Sequence, residues 1–207
     1  MTTEEFFLRR AVVSGFAFVY WAGVLAQARR VRKHIGRSPN LKPRGTKEKL
    51  LWLGWLLVIV IWMSQAWLIA KVPGSQLMDA LLSQAGLIAG AALTVAGYAG
   101  TLWCYAAMGD SWRLGINSGE KNALVNCGPY RFVRHPIYLF QIVMLAGGVL
   151  LLPTVLSCAI LLLHLVCVLI KAVDEETYLL SVHGDTYREF MAKTGRLLPK
   201  LKPPIAS

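Results

Sequence analysis

Acidic residues are scarce in this 207-residue chain, 11 against 22 lysines and arginines, and charged residues of both signs make up only 16% of it. The scarcity is uneven. Positions 11–28, 50–70, 80–109 and 135–170 hold no Asp, Glu, Lys or Arg. A soluble domain of this size spreads its charges along every segment, so that class is excluded. Gly-x-Gly-x-x-Gly, Gly-x-x-x-x-Gly-Lys-Ser/Thr and Gly-x-Ser-x-Gly are all missing, which excludes the dinucleotide, P-loop and nucleophile-elbow sites those patterns build. The four cysteines, Cys104, Cys127, Cys158 and Cys167, form no CxxC pair and lie at no zinc-ligand spacing from a histidine. Three of them sit in apolar stretches, where cysteine behaves as a small hydrophobe, so neither a disulfide framework nor a metal site is expected.

What is present is apolar: hydrophobic residues reach 56%. A helix needs about 20 consecutive apolar residues to cross a hydrocarbon layer ~30 Å thick. The four charge-free windows approach or exceed that length. The first is not expected to be a cleaved signal peptide, because it is too long and ends in the basic run Gln27-Ala28-Arg29-Arg30 rather than a small-residue cleavage site. Spans are expected at Phe7–Ala28, Leu50–Ala70 and Ala80–Met108. Gly86, Gly90 and Gly97 give the third a face that a neighbouring helix can approach closely. The fourth window is interrupted at Leu152-Pro153-Thr154. It reads as a hairpin of two short or tilted helices with its tip at Pro153, a single very long helix being the alternative that a mid-segment proline disfavours. The fold expected is all-α, a polytopic membrane bundle of about five transmembrane helices with a helical C-terminal segment. It forms a single integral membrane domain over 1–207, in which 1–79 holds the first two spans and a basic loop and 80–207 the core.

The net charge of +11 does not point to nucleic acid. Nine of the lysines and arginines (Arg29, Arg30, Arg32, Lys33, Arg37, Lys42, Arg44, Lys47 and Lys49) crowd one short connection. Short basic loops stay on the cytoplasmic side, where anionic head groups attract them. The N-terminus is then outside, and the polar stretch 109–136 and the C-terminal tail are both cytoplasmic. In the tail, Lys171, Glu175, Tyr178, Leu179 and Val182 continue the helical spacing of the last span. Gly184 is placed to end that helix, and Asp185 to cap a second one over Thr186–Lys193.

Two segments carry chemistry. The first is Leu124–Tyr138, where Gly128-Pro129 makes a turn and Pro136 opens a helix, leaving Arg134 and His135 at its N-terminus beside free N–H groups that bind anions. Arg and Tyr also mark membrane boundaries without further function, so anchor and site both remain open. The second is Lys171-Ala172-Val173-Asp174-Glu175-Glu176. This is either the solvated end of a span, with Lys171 and Glu175 paired one turn apart, or a set of hydrogen-bond partners for a ligand. His164, alone in an apolar helix, reads first as a packing residue.

The combination Leu124-Val125, Gly128-Pro129-Tyr130, Arg134-His135-Pro136-Ile137-Tyr138, Glu175-Glu176 and Gly184-Asp185-x-Tyr187 resembles the isoprenylcysteine carboxyl methyltransferase family, whose wider group includes phospholipid methyltransferases. The resemblance covers Met108 to Lys200. It implies an all-helical membrane enzyme that binds S-adenosylmethionine in a pocket closed by C-terminal helices. Asn122, Ala123, Leu124, Val125, Tyr130, His135, Pro136, Tyr138 and Glu175 would hold the cofactor. Lys171 stands where the family has an arginine that orients the acceptor. A lysine keeps the charge but loses the bidentate grip on a carboxylate, which opens the identity of the substrate. The expected activity is methyl transfer to a small lipophilic or lipid acceptor, a carboxylate first, with Lys171 orienting the acceptor and Glu175 in the catalytic machinery. Phospholipid or amine N-methylation is the alternative, with Asp174 or Glu176 as base. A nicotinamide-dependent reductase and a membrane transport or adaptor protein are the readings from other classes.

Overall fold

The computed structural model describes residues 3–36, 45–68, 82–112 and 124–200. The described chain is built of helices: α1 (Thr3–Ile35), α2 (Gly45–Leu68), α3 (Gln84–Met108), α4 (Pro136–Leu151), α5 (Val155–His183) and α6 (Asp185–Lys193). Two short 3-10 turns, Gly109–Ser111 and Gly128–Arg131, follow α3 and precede α4. This is the all-α membrane bundle expected. α1, α2, α3 and α5 are long and apolar enough to cross a membrane. They turn large apolar side chains outward, among them Phe18, Leu56, Val95 and Leu162, as a surface facing lipid requires.

The span count is corrected by α4. With 16 residues it is about 24 Å long at ~1.5 Å per residue, short of a full crossing. The hairpin at Pro153 is observed, but its arms are unequal, since α5 runs 29 residues without a break. Thr154 and Ser157 start α5 with a reciprocal capping box, which fixes the sharp turn out of α4. The basic cluster is corrected too. α1 continues to Ile35, so Arg29, Arg30, Arg32 and Lys33 ride its last turns, while Lys47 and Lys49 lie in the start of α2. Asp185 is the first residue of α6 rather than its cap. The positive φ of Gly184 (53°) makes the break between α5 and α6. The expected outer loop at 71–79 lies outside the described residues.

α4 is the centre of the bundle. No residue along its length is exposed, and its broadest interface is with α3. Glycines make that interface possible. A Cβ on Gly97 would stand 2.6 Å from the Phe140 carbonyl oxygen, and one on Gly147 2.6 Å from that of Gly90. The two backbones therefore touch, which only small residues permit. The glycine face read in α3 is this contact.

A short, enclosed helix leaves its terminal carbonyls below the membrane surface, where water cannot satisfy them. Arg9 of α1 does so instead. Its side chain is fully buried and donates to the Leu150 and Leu151 carbonyls at 3.2 Å each, to Ser83 O at 2.7 Å, and to Glu5 at 2.9 Å. One guanidinium thus joins α1, the start of α3 and the end of α4. Arg9→Met strands three buried acceptors and is expected to destabilise the protein by roughly 3 kcal/mol or more. In detergent this is read as a fall in apparent melting temperature that the exposed control Arg29→Met does not show.

Candidate functional site

At the opposite end of α4, the segment before the helix is tied to the segment after α6. Val133 and Gly195 form a parallel bridge. Arg134 N donates to Gly195 O at 2.8 Å, His135 N to Arg196 O at 3.1 Å and Gly195 N to Phe132 O at 3.3 Å. These bonds satisfy the backbone where α4 begins, and they bring three basic side chains to one place.

The anion they hold is Glu176. Its side chain is buried and accepts from Arg134 Nε at 2.8 Å and from Arg196 Nη2 at 2.7 Å, with His135 Nε2 at 3.3 Å. The other ring nitrogen of His135, Nδ1, lies 3.4 Å from Glu175 Oε2. A neutral imidazole donates from one nitrogen only, so a ring between two carboxylates fits best as the imidazolium. Burial works to lower the His135 pKa. The hydrogen bonds and charges of Glu175 and Glu176 outweigh it and hold the pKa above the ordinary histidine value. His135 also stacks on Tyr138 (5.7 Å between centroids, 16° between planes), and Tyr138 Oη donates to Glu175 Oε1 at 2.9 Å. Glu175 is thus fixed from two sides while remaining about a quarter exposed.

Glu175 faces a cavity of about 470 Å³, within the ~300–1,000 Å³ range of small-molecule sites. The cavity runs from the Glu175 end deep between the spans. Its polar end is formed by Leu124, Val125, Tyr130, His135, Tyr138, Lys171, Glu175 and Tyr187. The deep end is aromatic: Tyr20 and Trp21 of α1, Trp55 and Trp62 of α2, with Gln141 and His164 as its polar groups. α5 serves both ends from one face, because His164, Lys171 and Glu175 are spaced by two turns and then one.

The residues singled out in the sequence divide accordingly. Leu124, Val125, Tyr130, His135, Tyr138, Lys171 and Glu175 come together on the cavity wall. Pro136 is buried as the first residue of α4 and is not part of that wall. Asn122 and Ala123 lie outside the described residues. The expected Lys171–Glu175 pair is replaced by one between elements: Lys171 Nζ, buried, stands 3.6 Å from Glu48 of α2. Neither carboxylate considered as a base is free. Asp174 pairs with Lys47 at 2.5 Å, away from the cavity, and Glu176 is enclosed by Arg134, His135 and Arg196. The N-terminus of α4 does gather positive charge around an anion, but that anion is the protein's own.

Arg196, Glu48, Gln141 and the Oη of Tyr187 carry parts of the site that the sequence did not announce. Tyr187 is buried, its hydroxyl has no hydrogen-bond partner among the described residues, and burial pushes its phenol pKa up. Tyr187 and Phe190 of α6 lie against the cavity, a placement that only the fold shows.

The molecule is therefore a multi-pass helical membrane protein with a charge-locked cavity that opens between its spans. Residues 90–181, from α3 into α5, match the model of the isoprenylcysteine carboxyl methyltransferase (ICMT) family, so this stretch is similar to that family. The nickel-cobalt-cadmium resistance protein NccN of Alcaligenes xylosoxydans xylosoxydans is similar over 135 residues, at 29% identity, covering 65% of this chain and 60% of that relative. The chain thus spans less than two thirds of the relative it matches.

The raised His135 pKa sets a direction for stability with pH. A group whose pKa is higher in the folded state stabilises fully below its unfolded value, about 6.5, and that contribution is lost as pH rises through the folded value. Melting temperature in detergent is expected to fall as pH goes from 6 to 9 in the wild type, on the scale set by the ordinary histidine value. In His135→Gln that part of the slope disappears.

Proposed function

We propose that this protein is an integral membrane methyltransferase that moves a methyl group from S-adenosylmethionine to a small lipophilic acceptor bearing a carboxylate. One observation carries the reading: residues of the family-matched segment, Tyr138 and Glu175, meet at 2.9 Å on the wall of a cavity whose far end lies among apolar spans. A polar, nucleoside-bearing cofactor suits the first end and a lipophilic acceptor the second.

The polar end fits such a cofactor by its donor set. Glu175 presents a fixed carboxylate to hydroxyl or ammonium groups, and the ring of Tyr187 lies on the wall of the same cavity. Leu124 and Val125, with Asn122 and Ala123 before them, supply the neighbouring wall. Tyr130, His135 and Tyr138 supply the aromatic part, and Pro136 fixes where α4 begins. When bound, S-adenosylmethionine supplies an electrophilic methyl group.

The residues of the chain contribute position and environment. Lys171, seated at the junction of the two ends, holds the acceptor's carboxylate by charge, replacing its contact with Glu48. The indoles of Trp55 and Trp62 exclude water from the path between them, which strengthens every electrostatic contact inside. A carboxylate is already ionised at neutral pH, so no base is needed, and effective concentration does most of the work. An amine acceptor would need a free carboxylate as base. The engagement of Asp174 with Lys47 and of Glu176 with three cations favours the carboxylate acceptor instead.

The basic ends of α1 and α2 support an orientation with the Glu175 end in the cytoplasm and the N-terminus outside. The printed name of the NccN relative concerns metal resistance. A methyltransferase acting on a membrane component is compatible with a part in such resistance, and no group of three His, Cys, Asp or Glu gathers as metal ligands would among the described residues.

Calorimetric titration of detergent-purified protein tests the reading. S-adenosylhomocysteine is expected to bind and NADPH not to. Glu175→Ala is expected to weaken S-adenosylhomocysteine at least about a hundredfold, the loss of charge-assisted hydrogen bonds in a partly buried site, while the melting temperature stays within a few degrees of wild type. Binding of NADPH alone would place the protein among reductases, and unchanged affinity in Glu175→Ala would mean that another group holds the cofactor.

A further inference from the structure

The apolar end of the cavity has a similar reach on three helices. Trp55 and Trp62 on α2, Tyr138 and Leu145 on α4, and Lys171 and His164 on α5 all line it. Each pair is separated by two turns, so each marks one face of its helix over roughly 10 Å.

One turn further in, the same helices carry Ala66, Gly148 and Ile160, which are buried and no longer reach the cavity. Behind Trp62 and Met144, the packing toward Val13, Thr94 and Leu151 leaves no room for a water molecule. The floor itself is closed. Trp62, Met144, Leu145 and His164 are each 5% exposed or less, and His164 Nε2 and Trp21 Nε1 are covered by protein.

The opening toward lipid lies higher. Among the described lining residues, Trp52 and Leu56 are the exposed ones, at 41% and 54%. They sit one turn apart on α2, on either side of Trp55. A chamber open beside its polar end and closed below is a blind well. Lys171 stands at its rim, so a carboxylate held there sends its tail downward. An extended chain advances about 3.3–3.6 Å for every three bonds, and roughly nine bonds therefore fill the depth.

We infer that the well measures the acceptor's tail, and that the substrate class is a carboxylate on an unbranched apolar chain of about eight to ten carbons, not a long-chain membrane lipid. This rests on the carboxylate-acceptor reading given above. Trp62 and Leu145 form the stop and are the specificity-determining residues. A longer tail has to fold back or leave through the opening at Leu56, and its extra methylenes then forgo the gain of about fourfold in affinity that each buried methylene brings.

The test uses the full-length protein in detergent, titrated with hexanoate, decanoate and tetradecanoate, with S-adenosylhomocysteine binding followed in the same preparation. In the wild type, decanoate is expected to bind at least about tenfold more tightly than hexanoate, and tetradecanoate no more tightly than decanoate. Trp62→Ala and Leu145→Ala each deepen the well. Detergent takes up part of each acid, but that part cancels when one acid is compared between variant and wild type. Tetradecanoate is expected to tighten about tenfold in each variant, while hexanoate stays within about twofold. Leu145→Ala covers the case of a Trp62→Ala protein that does not fold. An equal change for hexanoate and tetradecanoate, or no change for either, overturns the inference, because the tail then does not rest on the floor. A wild type that binds tetradecanoate more tightly than decanoate overturns it too, since the tail then runs out through the opening. Failure of every acid to bind also overturns it. S-adenosylhomocysteine then tells whether the methyltransferase reading falls with it, because retained binding leaves that reading standing.

Discussion

A helix too short to cross the membrane, buried at its centre, is the constraint from which the rest of this structure follows. α4 is shorter than the hydrocarbon layer is thick and enclosed by other helices, so the backbone groups at its ends need partners within the protein. Each end is met by arginine. At one end the guanidinium of Arg9 gathers the Leu150 and Leu151 carbonyls and ties α1 to α3 and α4. At the other, the start of α4 is closed by the returning segment after α6, and Arg134 and Arg196 come with it to Glu176. The first arrangement gives a rigid floor. The second gives the polar end of a cavity, lined by Tyr130 and His135 before α4 and by Tyr138 in its first turn.

The two adjacent glutamates divide the labour that one carboxylate could not perform. Glu176 faces the protein and is neutralised by three cations, which makes it a structural anion. Glu175 faces the cavity, held in place by Tyr138 and His135 but still open to a ligand. His135 stands between them with one ring nitrogen towards each, so the position of the ligand-facing carboxylate is tied to that of the buried one.

Much of this was legible in the sequence because it is written in short-range patterns. Charge-free windows marked α1, α2, α3 and α5, the Pro153 interruption marked the hairpin, and the Gly90–Gly97 spacing marked the face against α4. The site segments Leu124–Tyr138 and Lys171–Glu176 stood out because ionisable groups beside apolar helices are costly without a purpose. What escaped depends on contacts between distant positions. Nothing near Arg9 in the chain reports that it meets carbonyls about 140 residues later. Glu48 looked like part of a basic loop until α2 laid it beside Lys171. The hairpin tip at Pro153 was legible too, and the arms are unequal because α5 continues past Ile170 to His183.

The bridge between Val133 and Gly195 has a consequence for the order in which the molecule is made. Arg134 and Glu176 leave the ribosome before Arg196, which follows Glu176 by 20 positions. Until the bridge closes, Glu176 lacks the cation that covers it from the α6 side, and the mouth of the cavity has no Tyr187 or Phe190 across it. The spans are inserted one after another, but the site is a late product of synthesis. A nascent chain with all its helices in the bilayer is still not an assembled binding site.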